Sequence, residues 1–444
     1  MCKFLFKNGY SIAFGLALML AASFSAFGQT IDYERGRHKD ILNIIKSDIK
    51  KYYYDSNYRG IDIETRFKTA EERIKKANSI GEMSGIIAQV LVDFNDSHLF
   101  FIPPGKANKI EFGWQIQMVG NKCFVVWVEP KSDAEAKGLK PGDEIYSLEG
   151  FEPTRENLWK MNYFYRVLRP RPVIKMEVIK PDGKQVALEV NAKITERKRT
   201  RNVGNSSSGK DIYDTLRESE EEYLKSRRQR YYEAFENTLI WKMPAFALSP
   251  NEVDEMIGKV KKQQALILDL RGNGGGRIDM LQRLIGHFFT GEVTIGERKE
   301  RKKSETEIVK AASKNPFQGK LIVLIDSNSA SSSEIFARVM QLEKRATILG
   351  DVSAGAVMTS IQYPHEVGMD IVAPFAVSVT IADVIMKDGK SLEHTGVTPD
   401  EKILPTAQDL ATRRDPVLAR ALKILGIEQT PEQAGALFPE EKDK

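Results

Sequence analysis

The chain has 444 residues, of which 41% are hydrophobic and 29% charged, and its net charge is +5. Such a composition is that of a folded globular protein with room for about two or three domains. A charge this small for the length, with no stripe of interleaved aromatic and basic residues, excludes nucleic acid as a partner and leaves recognition to local sites.

Lys3 and Lys7 precede an apolar run from Ile12 to Phe24, and small residues follow up to Gly28. This is the layout of a secretory signal peptide, so residues 1–28 are expected to be removed and the mature protein to be periplasmic or extracellular. The run is short for a membrane span. Of the two cysteines, Cys2 leaves with the signal and Cys123 stays alone, which excludes an intrachain disulfide in the mature protein.

Residues 29–105 read as a helical domain. Leu42, Ile45 and Ile49 recur at spacings of three and four, and Met83 to Val92 has the same period. The domain ends in a polar turn with Asp96, Ser97 and His98, followed by an apolar strand. Residues 106–195 change to short strands, with Val173–Ile179 and Val186–Val190 forming a hairpin about Pro181, Asp182 and Gly183. Residues 196–235 read as a charged linker with a flexible tip at 205–209 and a solvated helix over 219–230. From 236 to 410 strands at 239–243, 265–270, 321–325, 347–349 and 375–381 alternate with helices at 251–262, 277–289 and 334–342. That alternation predicts a largely buried sheet covered by helices. Residues 411–444 are a tail with some helical pattern over 416–425.

Two turns carry chemistry. Leu268-Asp-Leu-Arg-Gly-Asn-Gly-Gly-Gly276 joins a strand to a helix. The spacing is not that of a dinucleotide-binding loop and no second nucleotide element follows, so the other use of such a loop applies: glycine backbone N–H groups brought close to a developing oxyanion. Asp326-Ser-Asn-Ser-Ala-Ser-Ser-Ser-Glu334 is also a strand-to-helix turn. It is either an ordinary capping box from Ser331 to Glu334 or a hydroxyl held at the positive end of a helix. No His, Cys and carboxylate spacing suggests a metal site, and no cofactor is implied.

The segment Ser132-Asp-Ala-Glu-Ala-Lys-Gly-Leu-Lys-Pro-Gly-Asp-Glu-Ile145 resembles that of PDZ domains in their permuted bacterial arrangement. The resemblance implies that Phe112, Gly113, Trp114, Gln115 and Ile116 form the loop and strand that take a peptide, with backbone N–H groups on its terminal carboxylate. The two turns above, together with Leu392-Glu-His-Thr-Gly-Val-Thr-Pro-Asp400, resemble the C-terminal processing (tail-specific) serine peptidases. That resemblance implies a multidomain protein with a crotonase-like superhelical α/β core, a peptide or protein substrate, Ser331 as nucleophile, and an oxyanion hole at Gly274, Gly275 and Ser332. One departure stands out. The lysine base of the Ser/Lys members falls here on Ala356. Asp96-Ser-His98 instead resembles the Ser-His pair of the tricorn-type branch, which implies His98 as general base, with Ser97 and Glu393 orienting and polarising the site. His394 is the rival base, while His38, His287 and His365 have no motif around them. The two readings left open are an exported serine endopeptidase and a catalytically inactive peptide-binding protein of the same fold.

Overall fold

The computed structural model describes residues 9–104, 108–196, 230–235, 237–368 and 373–437. Helices α1 (Gly9–Tyr52), α2 (Ile63–Lys76) and α3 (Ile80–Val92) form the N-terminal unit. Asp62 and Ser79 accept backbone N–H groups of the first turns of α2 and α3, satisfying donors that a helix start leaves open. The stripe Leu42, Ile45 and Ile49 is buried as its spacing predicts, packing against Phe67, Ile74, Met83, Ile87 and Leu91. This cluster does not close on itself. It runs on through strand β1 (Phe100–Ile102) to Phe375, Val377 and Val379 of the core, so the helices and the core share apolar packing. Among the described residues no helix is long and apolar enough to cross a membrane.

The next unit is a five-stranded antiparallel sheet. Strand β2 (Asn108–Glu111) leads into β3 (Trp114–Val119) and β4 (Lys122–Val128), then come helix α4 (Asp133–Ala136), β5 (Glu144–Leu148) and helix α5 (Leu158–Asn162), which continues as a π-helical turn to Leu168. Strands β6 (Val173–Ile179) and β7 (Gln185–Asn191) form the expected hairpin, and β8 (Lys193–Glu196) pairs with β2. The sheet order is β3-β4-β5-β6-β7, which leaves β3 as an edge.

The expected flexible tip at 205–209 and the helix over 219–230 lie outside the described residues, save Arg230. Residues 230–235, read as linker, form β9 (Arg230–Phe235), antiparallel to β10 (Thr238–Lys242). The core then follows with α6 (Pro250–Val260), β11 (Ala265–Asp269), α7 (Ile278–Gly286), β12 (Val293–Glu300), β13 (Ser304–Val309), β14 (Lys320–Ile325), α8 (Ser332–Leu342), β15 (Thr347–Gly350), β16 (Thr359–Val367), β17 (Ala373–Met386) and β18 (Glu401–Lys402). One sheet has the order β18-β15-β14-β11-β10-β9, with all pairs parallel except β9–β10. Alternate residues point to opposite faces. Leu266, Leu268, Val323 and Ile325 meet α6, α7 and α8, while Ile267, Ile322 and Leu324 meet a different layer. After α9 (Ala407–Thr412), that layer is built from the segment read as a tail, by α10 (Pro416–Ile424) and α11 (Pro431–Ala436). Val417, Leu418 and Leu422 of α10 are buried on the sheet. A second sheet of β1, β17, β12 and β13, with β16 on β17, joins the core to the N-terminal unit.

Candidate active site

β11 and β14 are parallel neighbours, so the turns at their C-terminal ends lie side by side, each leading to a helix start. Side chains stitch the two turns together. Asp326 Oδ1 accepts the Gly272 N–H at 2.9 Å, and Ser329 Oγ donates to the Leu270 carbonyl at 2.8 Å. Asn273, fully buried, donates from Nδ2 to the Met243 carbonyl at 2.7 Å, while its own carbonyl accepts Ala330 N and Ser333 Oγ, both at 2.9 Å. The result fixes Ser331 at φ 55°, ψ −119°, a conformation costly for a residue with a side chain. Glu334 reaches back to the Ser331 N–H at 3.0 Å, but the Ser331 hydroxyl holds no cap hydrogen bond. The carboxylate half of the capping box is present, and Ser331 stands at the start of α8.

Of the three expected oxyanion donors, the structure separates one from the others. The Gly275 N–H donates to Asn273 Oδ1 at 2.8 Å, so it is already satisfied. Gly275 serves by its missing side chain: at φ +94° its Cβ would lie 2.7 Å from Ser331 Cβ and 3.0 Å from Ser332 N. The N–H groups of Gly274 and of Ser332 have no acceptor among the described residues. Ser332 opens α8, where the helix dipole favours negative charge.

The expected base region is built from segments 296 positions apart. Glu393, buried, accepts the Ser97 N–H at 2.9 Å, the Ser97 hydroxyl at 3.0 Å and the Val357 N–H at 3.1 Å. Ser97 Oγ lies 2.7 Å from His98 Nδ1. A hydroxyl has a single proton, and with the carboxylate accepting it, Nδ1 must donate to Oγ. The relay therefore fixes the neutral tautomer with a lone pair on Nε2. Burial holds the His98 pKa below its ordinary value, partly offset by the charge of Asp96. Burial also raises that of Glu393, against the N–H groups that favour its charged form. The loop 353–357 bridges this relay to the Ser331 turn: Val357 N–H meets Glu393, and the Ala356 carbonyl accepts the Ser331 N–H at 2.8 Å. The rival His394 is 43% exposed at its side chain, and its Nε2 is 2.8 Å from the Asn95 carbonyl. His38, His287 and His365 pair with Ser84, Asp254 and Asp48 in structural roles.

Ala356 puts a methyl where the resemblance places a lysine, and the loop around it is held by Glu334. This fully buried carboxylate accepts Ser353 Oγ at 2.6 Å, Gly355 N at 2.7 Å and Ala356 N at 2.9 Å besides Ser331 N. Burial outweighs those donors and pushes its pKa up to about 7. Glu334 and Asn273 were visible in the sequence only as a helix cap and a loop residue; the partners that make them organisers are remote. Among the described residues no group of His, Cys, Asp and Glu could hold a metal ion.

In the β-rich unit Phe112, Trp114 and Ile116 are buried, whereas Gln115 is exposed on the edge strand. Gly113 has φ +70°, and a Cβ there would lie 2.8 Å from Ser132 Cβ and 3.2 Å from Glu129 Oε2. Arg166 lies over the Phe112 and Trp114 rings and donates to the Trp114 carbonyl at 3.2 Å. The expected peptide loop is thus flanked by one cation and one carboxylate.

Residues 237–403 match peptidase family S41. Among curated proteins the chain is similar to the carboxy-terminal processing protease CtpB of Bacillus subtilis, with 22% identity over 74% of this chain and 64% of that protein. It is also similar to the tail-specific protease of Haemophilus influenzae, with 31% identity over 37% of this chain and 24% of that protein. Both alignments span less than two thirds of the relative's length. In fold the chain is similar to mature CPAF, solved with lactacystin, at a TM-score of 0.62 and 13% identity, covering 85% of this chain and 96% of that one. The photosystem II D1 C-terminal processing protease gives a TM-score of 0.50 at 16% identity, covering 83% and 93%. The matched family and the curated relatives are peptidases, and the solved neighbours share a multidomain α/β fold with this chain.

Proposed function

We propose that this chain is an exported serine endopeptidase of the C-terminal processing type, with Ser331 as nucleophile and His98 as general base. The observation that carries the reading is the relay Glu393–Ser97–His98, which leaves a lone pair on Nε2 and is joined through the loop 353–357 to the turn that holds Ser331. The scissile carbonyl oxygen sits against the N–H groups of Ser332 and Gly274. Ser331 Oγ attacks the carbonyl carbon while its proton passes to His98 Nε2, and the carbonyl π pair moves onto the oxygen. Collapse breaks the C–N bond, the imidazolium giving its proton to the departing amine. Water then attacks the acyl-enzyme, loses a proton to Nε2, and returns Ser331 to its hydroxyl form. The PDZ-like unit presents the Phe112–Ile116 loop to substrate termini, with Arg166 as the nearby cation.

The test is hydrolysis of an unstructured polypeptide. Ser331→Ala and His98→Ala should each lower kcat by several powers of ten, as for members of other catalytic triads. A second reading, a catalytically silent peptide-binding protein, is favoured by Ala356 at the lysine position. Wild-type protein that binds peptides but never cleaves them would establish it.

A further inference from the structure

Asp96 is the one buried carboxylate around the base to which the relay gives no role. It is 1% exposed, two residues before His98. Oδ1 accepts Thr380 Oγ1 of β17 at 2.7 Å and the His98 N–H at 3.0 Å, and Oδ2 accepts the Tyr53 hydroxyl beyond α1 at 2.9 Å. All three donors are neutral. Burial, followed by the charge of Asp96, holds the Tyr53 phenol far above its usual pKa, so it stays a donor.

A buried charge is ordinarily paired, and Asp96 forms no ion pair among the described residues. Of the groups around it, the charge of Arg59 reaches Asp96 without an ion pair between them. Arg59 donates to the carbonyls of Phe94 and Asn95 and to Tyr54 Oη. His394 faces the Asn95 carbonyl and lies 3.6 Å from Glu393. Asp383 of β17 accepts the Ser391 hydroxyl, and Glu393 is itself a carboxylate. The reaction adds a further cation within reach of this carboxylate, the imidazolium of His98, whose backbone N–H Asp96 already holds.

We propose that Asp96 is a positioning residue for the base: it ties the His98 backbone to α1 and β17 and places a fixed negative charge that stabilises His98 once it has taken the Ser331 proton. The inference rests on the reading of His98 as general base. That reading fails separately, if His98→Ala keeps near-normal turnover.

The experiment is an NMR titration of the histidine ring nitrogens in the full-length protein, with the His98 signal assigned by its loss in His98→Ala. Asp96→Asn keeps Oδ1 for Thr380 and the His98 N–H but removes the charge. Its His98 midpoint should fall by on the order of one pH unit, as expected for loss of a close opposite charge. Its kcat should fall roughly tenfold, with KM little changed. Tyr53→Phe with Thr380→Val keeps the charge and removes two tethers; kcat should fall while the midpoint does not. An unmoved midpoint in Asp96→Asn overturns the proposal. Should that variant fail to fold, unchanged kcat in the Tyr53→Phe, Thr380→Val protein overturns it instead.

Discussion

The contact between the glycine loop and the nucleophile turn can be tested by adding one methyl group. In Gly275→Ala the new Cβ would meet Ser331 Cβ at 2.7 Å, the Ala330 carbonyl oxygen at 2.9 Å and Ser332 N at 3.0 Å. Ordinary carbon contacts are about 3.5–4.0 Å, so Ser331 and the loop must part by roughly 1 Å. The cost has two parts. A left-handed φ at an L-residue costs about 1–2 kcal/mol, and overpacking adds about 1–3 kcal/mol. Misplacement of about 1 Å at a reacting atom costs on the order of a hundredfold in rate. Gly272→Ala is the control, since Gly272 has φ +71° but nothing within 4 Å of its Cβ. It carries the backbone strain without the clash. Thermal unfolding and steady-state kinetics of both variants decide the matter. Gly275→Ala should lose about a hundredfold in kcat, whereas Gly272→Ala should lose only stability. Equal activity in the two variants would refute the reasoning that close approach at Gly275 sets the position of Ser331.

Three further outcomes follow from the same geometry. Asp415 accepts both outer nitrogens of Arg271, at 2.9 and 2.7 Å, and the Leu418 N–H at 2.9 Å. Asp415→Ala should therefore unfold more easily than Asp415→Asn by about 1 kcal/mol in denaturant titrations, because asparagine still caps α10. Glu334, with a pKa raised to about 7, binds its proton more tightly in the folded protein than in the unfolded chain. Its stabilising contribution is complete below its ordinary value near 4.5 and is lost as pH rises through about 7, so Glu334→Gln should flatten the stability profile over that window. Peptides with a free C-terminus should bind better than amidated ones by calorimetry, and Arg166→Ala should abolish the difference, if the Phe112–Ile116 loop captures a carboxylate.

The parts of this molecule written in local patterns were legible. The stripe Leu42, Ile45 and Ile49, the hairpin at Pro181-Asp182-Gly183 and the parallel strands near 267 and 323 follow from periodicity and turn chemistry. Ser331, His98 and Glu393 stood out through motifs, and the structure brings their segments to the loop 353–357. The β12–β13 hairpin went unread because Glu297-Arg-Lys-Glu-Arg-Lys-Lys303 offers no apolar alternation. Residues 411–444 read as a tail because α10 alone has an apolar face, and only the sheet beneath shows what that face covers. Asp96 and Glu334 were opaque for another reason. A carboxylate's role is set by which donors reach it, and theirs come from Tyr53, Thr380 and Gly355, far off in sequence.

The central claim, that His98 rather than a lysine activates Ser331, is tested most directly by the rate at which a fluorophosphonate labels the protein. At pH 8 His98 is neutral in the wild type. Mass spectrometry should then find the label on Ser331, and Ser331→Ala should take up none. In His98→Ala the labelling rate should fall by several powers of ten. Labelling of Ser331 in His98→Ala at the wild-type rate would contradict the account and assign the proton to another base.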